Sequence, residues 1–479
     1  MELSSLTGDL NHITNYFSIE NLTRHGYYKV DKDGLRRQTQ SVFANAELSW
    51  KSMLFLNATV RADWDSALAF SDHGKKPFVY PSVGISALVH EMVDMPSAFP
   101  FLKARFSYTR VGNSYDPYLT RLRYNYDSLK DQYSPQTLYP NYNLKPELTE
   151  SFEAGVNFKF IDNTLSLDFT YYHSNTRNQT FEAPLSSGSG YSGVYVQAGN
   201  IRNSGIEAAL GYDNTWGNFG WSTTLTASHN SNKIINLADG VTNIVTGEPI
   251  SMPHVDKGYL GGSGSPLVRL VKGGSMGDLY IHRDWKRDDN GYIYLDGNGK
   301  PSMTDTDYKK IGSLMPDANL GWRNTFTWQG LRLNVLFTAR IGGNVVSNTQ
   351  AYLDRYGASE YSARLRDAGG VNIHGTNVSA YDYLQVVTAG GGEGDHYVYD
   401  ATNIRLQELS LEYTINRKYL KNVCDLTVGF VANNVCMIYC KAPFDPELVP
   451  SAASTFYTGV DNFMMPSLRN LGFNVKINF

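Results

Sequence analysis

The sequence predicts an all-β protein, an antiparallel transmembrane β-barrel with long extracellular loops, and three observations lead to that reading. The first is the final run NLGFNVKINF, in which Phe473, Val475, Ile477 and Phe479 take every second position and Gly472, Asn474, Lys476 and Asn478 take the others. A strand with this pattern has one apolar and one polar face. In a soluble domain it would be a terminal edge strand in need of cover. In an outer-membrane barrel the apolar face meets lipid, the polar face meets the lumen, and closure removes the edge. The second observation is composition. The 479 residues are 42% hydrophobic, with 33 tyrosines, 43 glycines and only 18% charged residues, which suits interfacial aromatic girdles and polar loops. No stretch approaches the roughly 20 apolar residues of a spanning helix. The third observation is a rhythm of strand pairs joined by short turns and separated by long polar segments.

Taken in order, residues 41–50 and 53–62 alternate across Lys51 and Ser52, and 79–89 is followed by 101–110. Residues 151–160 turn through Ile161, Asp162 and Asn163 into 164–173, and 204–213 returns as 220–230 after NTWGN. Residues 320–328 turn at Gln329 and Gly330 into 331–341, 403–414 pairs with 424–433, and 470–479 stands alone. The long segments are 63–78, 111–150, 174–203, 231–319, 342–402 and 434–469. Loops beyond about 12–15 residues are uncommon in compact soluble domains. Their recurrence after every second strand matches a barrel with periplasmic turns and extracellular loops. The last strand then runs down toward the periplasm.

These strands number thirteen, whereas single-chain bacterial barrels have an even number; residues 11–21 are a candidate for one more. The start, MELSSLTGDLNHITNYF, has no basic region followed by an apolar one. The expectation is a chain without an export signal, the C-terminal part of a longer protein.

The runs VRADWDSAL, FVYPSVGIS and LKARFSYTRVGN, then NLKPELTESFEAGVNFKF, GNIRNSGIEAAL, IGSLMPDANLGWRNTFTWQGLRLNVLF and YDATNIRLQELSLEYTI, and finally FDPE and MPSLRNLGFNVKINF, occur in this order. The ordered set resembles the barrel half of SusC/RagA-type TonB-linked outer-membrane receptors over essentially the whole chain. The resemblance implies a barrel of about 22 strands, of which residues 1–479 supply the last thirteen or so, with the plug domain, TonB box and signal peptide absent. It further implies multi-pass residence in the outer membrane and import of a glycan or peptide. A SusD-like surface lipoprotein would be the partner on the extracellular side, and the TonB complex would act through the missing N-terminal region. The barrel-assembly machinery would read Phe473, Val475, Ile477 and Phe479 as an insertion signal. A plugless passive channel of about fourteen strands and a soluble surface glycan-binding or glycan-cleaving β-protein remain as alternatives.

Candidate ligand contacts lie in the segment 111–150, which carries Tyr115, Tyr118, Tyr124, Tyr126, Tyr133, Tyr139 and Tyr142. Aromatic faces with a polar tip suit stacking on sugar rings; interfacial and loop-packing tyrosines give the same pattern. No nucleophile motif, His-x-x-x-His pair or Walker A loop occurs, so neither enzyme activity nor a cofactor is expected. A net charge of −4 gives no basic surface for nucleic acid. Cys424, Cys436 and Cys440 have no partner at metal-ligand spacing. The acidic run from Asp288 to Asp307 offers Asp296, Asn298, Asp305 and Asp307 as oxygen ligands of the kind calcium takes. However, Lys300 and Asp307 depart from an EF-hand loop, and a turn-forming hairpin is the expectation there, with no metal.

Overall fold

The computed structural model describes residues 2–7, 29–34, 37–127, 132–185, 187–237, 241–242, 247–250, 252–447 and 459–479. Alternating apolar and polar residues fold into β1 (Thr39–Trp50), β2 (Leu54–Asp65), β3 (Phe78–Leu88), β4 (Phe101–Asn113), β5 (Glu147–Phe160) and β6 (Leu165–Pro184). They continue through β7 (Gly193–Trp216), β8 (Phe219–Asn236), β9 (Ala318–Trp328), β10 (Leu331–Ile341), β11 (Asn403–Ile415), β12 (Asp425–Cys440) and β13 (Asn470–Asn478). Each pairs antiparallel with its neighbour in this series. They form the path of a 14-stranded sheet whose remaining member, Leu138–Tyr139, pairs in parallel with β7. All thirteen expected strands are present. The candidate strand at 11–21 lies outside the described residues. Among the described residues, β1 and β13 are each paired on one side only.

Turn chemistry places the short connections at one end of the wall. Gln329 and Gly330 both have positive φ, 46° and 89°, between the paired Trp328 and Leu331. This two-residue turn matches the right-handed twist of its strands. Gly330 is required there: a Cβ would lie 2.7 Å from the Thr414 carbonyl oxygen. Lys51, Ser52, Ile161, Asp162, Asn163 and Gly217 also take positive φ at this end.

Register aligns one apolar face across the whole sheet. Leu48 faces Leu56, Ile85, Phe106, Ala154, Tyr171 and Ile206 strand by strand, and Leu210 faces Leu225, Trp322 and Phe337. Leu411, Phe430 and Phe473 complete it. Most of these side chains are exposed, as are Val475 and Ile477. An apolar surface this continuous has no place in water and is what a bilayer solvates. Near the short turns it carries Tyr212, Trp216, Phe219, Trp221, Phe326 and Trp328, with Trp221 and Phe326 stacked at 6.3 Å, as an interfacial girdle requires.

Beyond the lipid band the hairpin of β6 and β7 continues, the two strands reaching 20 and 24 residues in all. This corrects the reading of 174–203 as a loop: its Ser, Gly and Asn content hid the alternation. The pairing skips Asn178 on β6, whose φ is +59°, and Ala198 on β7. A one-residue offset within a strand reverses the face that its odd positions take. Below the offset Phe169 and Tyr171 are exposed on the apolar face; above it Phe181 and Ala183 are buried. Phe181 and Ala183 join Val194, Val196, Ile201, Ile234, Val268, Leu270 and Leu279 in a conventional core.

That core belongs to a loop assembly at the end opposite the short turns. It contains a four-stranded sheet of His254–Tyr259, Leu267–Val271, Asp278–Trp285 and Met303–Ser313. Three helices follow, α1 (Asn348–Arg355), α2 (Glu360–Asp367) and α3 (Ala380–Val387). Ser347, Ser359 and Ser379 cap them by accepting hydrogen bonds from the backbone N–H of Gln350, Ser362 and Asp382.

Candidate functional site

The polar face of the wall is the first part of the site. Arg105 on β4 reaches across two strands and donates to Asn157 Oδ1 at 2.5 Å and Asp168 Oδ1 at 2.9 Å, and also to the Thr170 hydroxyl. Gly155 makes room for it, since a Cβ there would lie 2.7 Å from Arg105 Nε. Further along, Thr325 donates to Asn334 at 2.8 Å and Asn334 to Ser410 at 2.9 Å. These side chains line a polar inner surface and leave the outer face to lipid.

At the long-loop end of this face, Arg405 on β11 gathers the FDPE run. Its guanidinium donates to Asp445 Oδ1 at 2.7 Å and Oδ2 at 3.3 Å and lies 3.2 Å from Glu447 Oε2. Asn403 adds a bond to Glu447 at 3.3 Å. Burial alone would raise the Asp445 pKa, but hydrogen bonds from Arg405 and Ser467 hold it below the ordinary carboxylate value. Two sequence runs far apart in the chain thus meet in one buried ion pair that ties the segment after β12 to the wall.

The helices enclose two clefts. One of about 550 Å³ is lined by Tyr361, Tyr383, Tyr397, Tyr399 and His396. Burial, then the neighbouring Asp354, pushes the Tyr397 hydroxyl well above its ordinary value. The other, about 760 Å³, lies between the end of α1, the end of α2 and the start of α3, and carries Arg355 and Arg366. Asp354 stands between the clefts, fully buried, accepting from Tyr397 Oη at 2.9 Å, Gln350 Nε2 at 2.8 Å and the Ser359 hydroxyl. By composition and pattern the region reads as polar loop. The S-x-x-Q run from Ser347 to Gln350 was the signal available for α1.

The six tyrosines of 111–150 whose side chains are described do not converge. Tyr115 is buried against Leu68 and Leu144, its hydroxyl donating to the Leu144 carbonyl at 3.4 Å, and burial pushes its pKa up to about 12. The Arg123 guanidinium lies 5.0 Å over the Tyr118 ring. Tyr124 and Tyr133 are exposed on a hairpin. Tyr126 pairs in register with Tyr133, and its side chain lies outside the described residues. Tyr139 meets Tyr191 edge to face at 5.0 Å, and Tyr142 is exposed. In the acidic run, Asp288 and Asp296 accept from backbone N–H groups of their own turns, and Asp305 pairs with Arg283 at 3.0 Å. The run is a turn-forming hairpin.

A family model described as the TonB dependent receptor-like β-barrel matches residues 4–335. The chain belongs to this family. Its members are outer-membrane transporters rather than enzymes. TonB-dependent receptor P3 of Formosa agariphila is 26% identical, aligned over 98% of this chain and 49% of that protein. TonB-dependent receptor P26 of the same organism is 25% identical over 86% of this chain and 42% of that protein. The chain therefore spans about half the length of the curated relatives it matches. Among solved structures, the RagAB peptide importer in its open-open state superposes with a TM-score of 0.70 at 18% identity, covering 95% of this chain and 48% of that one. The two share a fold.

Proposed function

We propose that this chain supplies the barrel wall and extracellular loops of a TonB-dependent receptor that imports a glycan or peptide across the outer membrane. The observation that supports it best is the two-faced sheet: a continuous apolar outer surface, a polar inner surface, and a packed loop assembly at one end only. On this reading the plug, the remaining strands and the TonB-contacting segment come from sequence outside these 479 residues, and the barrel closes at the outer edges of β1 and β13. A SusD-like surface lipoprotein sits over the loop assembly. The barrel-assembly machinery reads the outward row Phe473, Val475, Ile477 and Phe479. Deleting the receptor gene should abolish growth on one polymeric glycan or peptide, and restoring it should rescue growth only in cells with a working TonB complex. Rescue without TonB would favour a passive channel instead.

A further inference from the structure

We infer that the cleft between α1, α2 and α3 is a binding site for an anionic oligosaccharide, one bearing uronate or sulfate groups. The cleft, about 760 Å³, falls within the range of about 300–1,000 Å³ typical of small-ligand sites. Two guanidinium groups line it, and neither has a carboxylate partner among the described residues. Within those residues Arg366 donates only to the Ser362 hydroxyl at 3.4 Å and the Gly357 carbonyl at 3.1 Å. Gly357 has φ +73°, and a Cβ there would lie 2.7 Å from Arg366 Nη1, so the glycine lets the arginine lie flat along the wall. The side chain of Arg355, half-buried in the last turn of α1, makes no hydrogen bond or ion pair among the described residues. The acid in the wall, Asp354, is occupied by its three donors.

A planar guanidinium with free N–H groups favours a carboxylate or sulfate. The rest of the cleft selects the molecule that carries it. Tyr356 and Tyr381 stand at the mouth, both strongly exposed, and present aromatic faces with polar tips to a flat ring. Apart from Ser379, which caps α3, the lining residues belong to helices and turns, and none lies in a strand, so an extended peptide finds no strand edge to join. As a substrate class the assignment rests on the import reading above; as a binding site it is tested without transport.

The test is equilibrium binding to the intact receptor purified in detergent, with an oligouronate, a sulfated oligosaccharide, a neutral oligosaccharide of equal length and an acidic peptide as probes. At least one anionic sugar should bind, more weakly as salt rises, while the neutral sugar and the peptide do not. Arg355→Gln, which breaks no contact of the fold, should weaken that binding about tenfold, Arg355→Lys should recover part of it, and Tyr381→Ala should weaken it independently. No anionic sugar binding to the unaltered receptor, equal binding in Arg355→Gln and Tyr381→Ala, or tighter binding of the acidic peptide would each overturn the assignment. Loss of uptake with binding intact would count against the import reading alone.

Discussion

Leu225 in the wall and Leu279 in the loop assembly both lie on antiparallel strands, yet Leu225 is 48% exposed and Leu279 is fully buried. The difference lies in what covers them. Leu225 sits between Leu210 and Trp322 on a face that meets lipid, and Leu279 packs with Val268 and Leu270 inside an apolar core that the loop assembly closes off from water. The same alternation therefore serves two solvents. What separates them in β6 is the single skipped residue, Asn178.

The sharpest way to separate the two regions is to damage the core. Leu279→Ala should cost the loop assembly about 2–5 kcal/mol and leave the wall intact. Limited proteolysis should cut the loops faster while heat-modifiable migration of the barrel stays unchanged. Equal loss in both would show that the two regions unfold together. The wall has its own test: Leu225→Arg should cost about 2–4 kcal/mol near the bilayer midplane, whereas Thr226→Arg on the polar face should be tolerated. Equal folding yields in lipid vesicles would remove the assigned faces.

The joint between the regions comes next. Arg405→Gln should weaken the attachment of the FDPE segment by about 1.5–3 kcal/mol, measured as hydrogen exchange in residues 441–447. The lowered pKa of Asp445 sets a pH sign. Its contribution is present above the unfolded carboxylate value of about 3.9 and is lost as pH falls through the lower folded value. Protection, taken relative to the intrinsic exchange rate at each pH, should therefore fall below about pH 4 in the unaltered protein and change little in Arg405→Gln. The smallest effect belongs to Tyr115→Phe, which removes one long hydrogen bond and should cost about 0.5–1.5 kcal/mol without altering ligand binding.

The wall was legible in the sequence because alternation is local: each strand announces its own two faces, and Gln329–Gly330 announces its own turn. The loop assembly was not, because three strands of its four-stranded sheet have eight residues or fewer and its helices are eight residues each, too brief for a period to stand out. The Arg355 and Arg366 cleft was hidden for a different reason. Its walls come from three helices, and only their packing shows that, among the described residues, neither guanidinium pairs with a carboxylate. The seven tyrosines drew notice by density, while their roles depend on burial, which density does not report.

The hairpin of β6 and β7 is a mast stepped through the membrane. A spanning strand needs about 9–11 residues, so roughly half of each strand stands above the lipid, with one residue skipped on each, Asn178 and Ala198. Asp168, anchored by Arg105 on the inner wall, and Phe181, anchored in the loop core, lie on the same strand. One continuous strand therefore carries a side chain fixed to the inner wall and another fixed in the loop core.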